Sequence, residues 1–192
     1  MTGHRAGAIT LAAGALVVAG CGGGERQDAN EKAATYTVDV TKASFPPKQR
    51  LARQQQMRIA VKNTGSKRLP DVAVTVDSFS RRSEQPGLAD PERPIWIVDQ
   101  GPRGGSTAFT NTWALEGLAP GQTKTFKWKV TPIESGRFKL KYTIAAGLDG
   151  KAKARNAQGE SPVSGTFPVS ISKKPSTARV NPDTGAVERT EG

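Results

Sequence analysis

The chain contains one histidine, His4, and one cysteine, Cys21, both near its N-terminus. His4 stands in a stretch that reads as an export signal, so the mature protein is expected to have no imidazole. That excludes Ser-His-Asp and Cys-His catalysis and the usual zinc and copper ligand sets. The acidic residues Asp71, Asp77, Glu84, Asp90, Glu92, Asp99, Glu116, Glu134, Asp149 and Glu160 are scattered. Paired carboxylates for glycoside hydrolysis need two of them on one cleft, and no spacing here argues for that. A Ser-Lys pair stays open, since both residue types abound, but no local motif points to one. Asp149-Gly150 lacks the further oxygen ligands of a calcium loop and reads as a turn. No catalytic residue, cofactor or metal ligand is assigned, and the chain is expected not to be an enzyme.

The chemistry of Cys21 is of another kind. It follows an apolar, Gly- and Ala-rich run over residues 6–20, with Arg5 before it. A membrane-spanning helix needs roughly 20 apolar residues, so the run is too short to span and reads as the h-region of a signal peptide. Val18-Ala19-Gly20-Cys21 resembles the bacterial lipobox, in which cleavage before the cysteine leaves a thiol that receives a diacylglyceryl group. Two acyl chains give stable anchoring where one does not. Cleavage near a free thiol, or an uncleaved anchor, are the alternatives. With the thiol acylated no disulfide can form, so the exported domain must rely on a hydrophobic core. Residues 21–34 hold almost no large apolar side chain and read as a flexible tether.

The elements that follow alternate with period two. Tyr36, Val38 and Val40 share one face, as do Met57, Ile59 and Val61, and Val72, Val74 and Val76. Phe126, Trp128 and Val130 repeat the pattern, followed by Phe138, Leu140, Tyr142 and Ile144, and by Phe167, Val169 and Ile171. Strand side chains point alternately to opposite faces, so each stretch has one apolar and one wet side. Ile95-Trp96-Ile97-Val98 and the stretch around Trp113 and Leu115 add less regular strands. Residues 49–56 are the one helical candidate, and they lack an apolar stripe. Asn63-Thr64-Gly65 and Pro120-Gly121 mark turns, and Glu134-Ser135-Gly136 reads as a tight hairpin joining the Phe126 and Phe138 strands. About seven to eight short strands predict an all-β, immunoglobulin-like antiparallel β-sandwich. The domain plan is a signal peptide at 1–20, lipidated cysteine and tether at 21–34, the sandwich at 35–172, and a polar, disordered or loosely docked tail at 173–192. Within that tail, Val180 and Val187 could close a small hairpin.

Two groups of residues could recognise a partner. Lys127, Lys129, Lys139 and Lys141 occupy the wet faces of two strands that a hairpin would make neighbours, giving one basic field. Like charges directly opposite cost stability, which suggests contact with an anionic lipid or cell-wall polymer. Trp96, with Arg93 and Arg103, is a candidate anchor for a partner protein if Ile95 and Ile97 take the inner face. Trp113 and Trp128 read as core. The formal net charge of +11 argues for an anionic neighbour, and export argues against nucleic acid. A basic face solvated without a partner remains the plainer reading.

Val61-Lys62-Asn63-Thr64-Gly65, then Leu118-Ala119-Pro120-Gly121-Gln122-Thr123 before an alternating strand, resembles the CARDB-like immunoglobulin-type domains of bacterial surfaces. The resemblance extends over about 36–172 and includes a hairpin opening at Gly136. Where those domains often close with an acidic, Asn-rich segment, this chain has Ala146-Gly147-Leu148-Asp149-Gly150-Lys151. The resemblance implies an actinobacterial-type lipoprotein on the extracytoplasmic face of the cell membrane, acting as a non-enzymatic binding or accessory module. Its partner would be an envelope protein, anionic lipid or cell-wall polymer. A small hydrolase or ligand-scavenging domain using loops 78–94 and 99–106, or a structural spacer, are the alternatives.

Overall fold

Side chains that alternate in and out force strands to stack in two layers, and two sheets enclose the core in the computed structural model, which describes residues 31–104, 106–174 and 177–190. Signal peptide, Cys21 and most of the tether lie outside the described residues. The first strands are β1 (Ala34–Ser44), β2 (Lys48–Arg50), β3 (Gln55–Asn63), β4 (Leu69–Val76), β5 (Ser80–Arg82), β6 (Glu92–Pro94) and β7 (Trp96–Gln100). They are followed by β8 (Ser106–Phe109), β9 (Thr112–Leu118), β10 (Thr123–Pro132), β11 (Gly136–Ala145), β12 (Ala152–Arg155) and β13 (Val163–Ser172). Two further strands, β14 (Thr177–Val180) and β15 (Val187–Thr190), follow the sandwich.

One sheet has five strands in the order β12-β1-β3-β10-β7; the other has six, β2-β13-β11-β4-β9-β8. The sandwich is thus all-β and immunoglobulin-like, with more strands than the alternation alone discloses. Two pairings, β1 with β12 and β2 with β13, are parallel, so both sheets are mixed at an edge rather than purely antiparallel. β5 and β6 form a separate ribbon inside the loop after β4. The tail pairs as the small hairpin its sequence allows, Val180 opposite Val187, in a two-stranded sheet of its own.

The predicted apolar rows meet between the sheets. Met57, Ile59, Val61, Phe126, Trp128 and Val130 face Val72, Val74, Leu140, Ile144, Val169 and Ile171 within one cluster. Trp113 and Trp128 meet edge to face at 5.6 Å, a favoured aromatic geometry. The turn residues behave as their chemistry requires. Gly65 N donates to Asn63 Oδ1 at 3.0 Å, and Gly121 sits at φ 76°, where a Cβ would be strained.

Residues 49–56 are not helical. Gln49 lies in β2, Gln55 opens β3, and a turn with Ala52 at φ 58° joins them. The link from β10 to β11 is also not a hairpin. Ile133 N donates to the Ile95 carbonyl at 2.9 Å, and β11 then pairs with β13 and β4 in the other sheet. The chain arches over the core instead of turning back beside itself. Both apolar rows still point inward, but from opposite layers.

Candidate functional site

The arch decides where the basic side chains go. Because Phe126, Trp128 and Val130 fill the core, Lys127 and Lys129 must project from the outer face of the five-stranded sheet. In register, Lys127 lies opposite Arg58 and Lys129 opposite Gln56 on β3, with Gln100 of β7 on the other flank of Lys129. These strands and the following loop frame a cleft of about 350 Å³ lined by Gln56, Gln100, Arg103, Thr125, Lys127 and Lys129. Arg58 donates through its guanidinium to Gln56 Oε1. The nearby Asp99 carboxylate is engaged elsewhere: it accepts from Gln54 Nε2 at 2.9 Å and from Thr131 Oγ1 at 2.7 Å. A pair of cations opposite each other on a sheet face disfavours folding by about 0.2–1 kcal/mol. A bound anion would relieve that cost.

Lys139 and Lys141 are on the far side of the molecule. On β11 of the six-stranded sheet they stand opposite Pro168 and Thr166 of β13. The expected single field of four lysines is therefore two fields on opposite layers, since β10 and β11 never share a sheet.

The proposed tryptophan anchor is corrected by burial. Trp96 is 2% exposed, packs on Phe45 and Phe138, and donates through Nε1 to Gln49 Oε1 at 2.8 Å. Ile97, at 44% exposure, takes the outward position instead. Ile95 N and Trp96 N both donate to the Phe79 carbonyl. That irregular double contact turns two successive side chains inward. Arg93 lies on the β5–β6 ribbon and donates to the Asp90 and Glu92 carbonyls at 2.9 and 2.7 Å. Arg103 alone of the three reaches the basic cleft.

Loop 78–94 is shaped by that ribbon, which Arg81 ties to Glu134 through a 2.8 Å ion pair. It cups a concavity of about 550 Å³ whose lining includes Ser83, Glu84 and Gln85. Among the described residues no group of three His, Cys, Asp or Glu could hold a metal ion.

Sequence reasoning missed one feature, hidden at the end of the polar tether. The Glu31 carboxylate accepts backbone N–H bonds from Leu148 at 2.6 Å, Asp149 at 3.2 Å and Ala152 at 2.7 Å. Gly147 makes this approach possible, because a Cβ there would lie 2.2 Å from the carboxyl carbon. Residues 147–152 thus form a backbone nest for a carboxylate, and residues 31–34 are fastened to the β12 edge rather than free. Glu31 also adds negative charge beside Asp71 and Glu116. Burial first, then these two neighbours, hold the Asp71 carboxyl above its ordinary range, against Lys124. This edge is therefore electrically unlike the basic cleft.

No protein-family model matches the chain, and no curated protein matches it. Solved structures do. The CARDB domain of a Pyrococcus furiosus protein, crystallised with di-metal ions, is 16% identical, with a TM-score of 0.43 over 72% of this chain and 93% of that one. A segment of Escherichia coli alpha-2-macroglobulin is 15% identical, with a TM-score of 0.42 over 79% of this chain and 21% of that one. A Listeria innocua beta-glucosidase in complex with glucose is 12% identical, with a TM-score of 0.37 over 73% of this chain and 16% of that one. The immunoglobulin-like assignment rests on the strand order and registers above, and structural neighbours of the chain include CARDB domains.

Proposed function

We propose that this chain is a lipid-anchored module of the extracytoplasmic membrane face that binds anionic headgroups without catalysing a reaction. Residues 1–20 direct export, Cys21 carries the lipid, and the sandwich follows. A Gly-rich stretch the length of 21–31, when flexible, reaches about 18 Å, which keeps the sandwich within reach of the bilayer. Tethering then raises the local concentration of headgroups far above what the cleft alone would need.

The observation that carries the binding reading is the convergence of Arg103, Lys127 and Lys129 on one outer face, with Arg58 opposite Lys127. Ile97 adds an exposed apolar side chain to the same sheet, opposite Thr131. Cations beside an apolar side chain suit the boundary between headgroup and acyl chain, and each cation near an acidic leaflet contributes about 1 kcal/mol.

Co-sedimentation of residues 31–192 with phosphatidylglycerol-rich vesicles tests this. Binding is expected to fall about tenfold or more in the Lys127→Glu/Lys129→Glu variant, since two charge reversals remove at least 2 kcal/mol or so. The Lys139→Glu/Lys141→Glu variant, altered on the opposite layer, is expected to bind like the unsubstituted chain. Equal losses from both pairs, or none from the first, would contradict the assignment of this face.

A further inference from the structure

A second basic concavity lies at the β2 edge of the six-stranded sheet, where the chain passes through Arg53 and Gln55 into β3. A groove of about 610 Å³ runs beside β2 and β13, and its lining includes Lys48, Arg50, Arg53 and Lys174 together with Ser170 and Ser172. Among the described residues that line it there is no carboxylate.

The groove is built rather than incidental. Gln49, between Lys48 and Arg50, is 4% exposed. Its Oε1 accepts from Trp96 Nε1 and its Nε2 donates to the Pro46 carbonyl at 2.9 Å. With Gln49 pinned inward, strand alternation turns Lys48 and Arg50 outward. Ser170 N donates to the Pro47 carbonyl at 2.8 Å, and Ala52 N to the Pro132 carbonyl at 3.0 Å, so the backbone is held at both ends of β2. Parallel pairing sets Lys48 beside Ser170 and Arg50 beside Ser172. Arg137 of β11 lies opposite Ser170 on its other side, extending the first of these rows.

We infer that this groove binds a linear polyanion, a chain bearing phosphate or carboxylate groups in regular succession. Positions two apart on a strand are about 6.6 Å apart, so Lys48 with Ser170 and Arg50 with Ser172 make two cation–hydroxyl pairs in sequence. Each pair offers a charge and an O–H donor to one anionic group, and charge-assisted hydrogen bonds are the stronger kind. A single headgroup would occupy only one cation–hydroxyl pair, whereas two pairs about 6.6 Å apart suit a chain whose anionic groups repeat along it. Single-stranded nucleic acid is also poorly served, because no aromatic side chain lines the groove among the described residues, and base stacking supplies much of the affinity for such strands. The groove shares no lining residue with the lipid-facing cleft, and the inference is independent of membrane attachment.

The test uses the full chain in zwitterionic detergent and fluorescein-labelled inorganic polyphosphate, followed by anisotropy. Polyphosphate is expected to bind, and Lys48→Glu/Arg50→Glu to weaken it about tenfold or more, with a shallower salt dependence. Ser170→Glu, an exposed outward position, should weaken it likewise without touching the core. Lys127→Glu/Lys129→Glu should stay within about twofold of the unsubstituted chain, whatever that variant does to vesicle binding. Competition by polygalacturonate better than by unlabelled polyphosphate assigns carboxylate, and the reverse assigns phosphate; either supports the inference. It is overturned if orthophosphate competes as well per phosphate as the polymer does, if oligothymidylate binds more tightly than polyphosphate, or if the Lys127/Lys129 variant loses as much as the groove variants.

Discussion

Asn63→Ala is expected to destabilise the sandwich by about 2–5 kcal/mol, because the Lys67 and Leu118 carbonyls both lose the amide donor, at about 1–3 kcal/mol for each buried group left unpaired, while Gly65 N keeps the Thr37 carbonyl at 3.1 Å. Asn63 is fully buried. Its Nδ2 donates to the Lys67 and Leu118 carbonyls, each at 2.8 Å, and its Oδ1 accepts from Gly65 N at 3.0 Å. Its own backbone accepts from Gly121 N and donates to the Gln122 carbonyl, both at 2.9 Å. One residue therefore joins the end of β3 to the strand and turn that precede β10, across both sheets. Asn63→Asp should be at least as damaging, since a carboxylate would replace the amide donor and face two carbonyl oxygens. Urea unfolding at 25 °C measures the change, and a midpoint in heat lower by about 10 °C should accompany it. A loss below about 1 kcal/mol would mean that these bonds do not hold the junction.

Two buried tryptophans should respond unequally to the same substitution. Trp96→Phe removes the donor to Gln49 and leaves a buried amide oxygen unpaired, so about 2–4 kcal/mol is expected from that and the smaller ring. Trp128 is fully buried as well, but its Nε1 finds no acceptor among the described residues. Trp128→Phe removes a donor whose burial is already a cost, which offsets part of the lost packing, and should be milder by about 1–2 kcal/mol. The pair separates the hydrogen bond from ring volume, because both rings sit in aromatic clusters. Denaturant titrations of the two variants side by side give the difference, and equal losses would count against the Gln49 bond. Trp96→Phe also loosens the residue that turns Lys48 and Arg50 outward, so it should weaken polyphosphate binding while Trp128→Phe leaves it nearly intact.

What could be read before the fold was known follows from what alternation encodes. It marks the inner and outer faces of β3, β4, β10, β11 and β13, and Phe126, Trp128, Leu140 and Ile171 are buried as that pattern requires. It does not encode which layer a strand joins. The lysines on β10 and β11 looked adjacent because the two strands are adjacent in sequence, and the arch at residues 133–135 is held by contacts to Ile95, not by local turn chemistry. Parity is silent at Trp96 because Ile95, Trp96 and Ile97 are all apolar, and the hydrogen bonds to Phe79 decide which two turn inward. β2 is three residues long and pairs in parallel with a strand far along the chain, a relation that a short window cannot contain. Glu31 looked like one more polar tether residue; only the fold reveals the amides of residues 148–152 that it meets.

The account rests on attachment through Cys21, and fatty-acid labelling tests it most directly. The full chain and its Cys21→Ser variant would be expressed in a lipoprotein-processing bacterium fed an alkynyl fatty acid, and the purified chains examined by intact mass. The account predicts a product that begins at Cys21, carries the label and partitions into the detergent phase, and an unlabelled Cys21→Ser chain. An unlabelled wild-type chain whose Cys21 thiol still reacts with maleimide would contradict it.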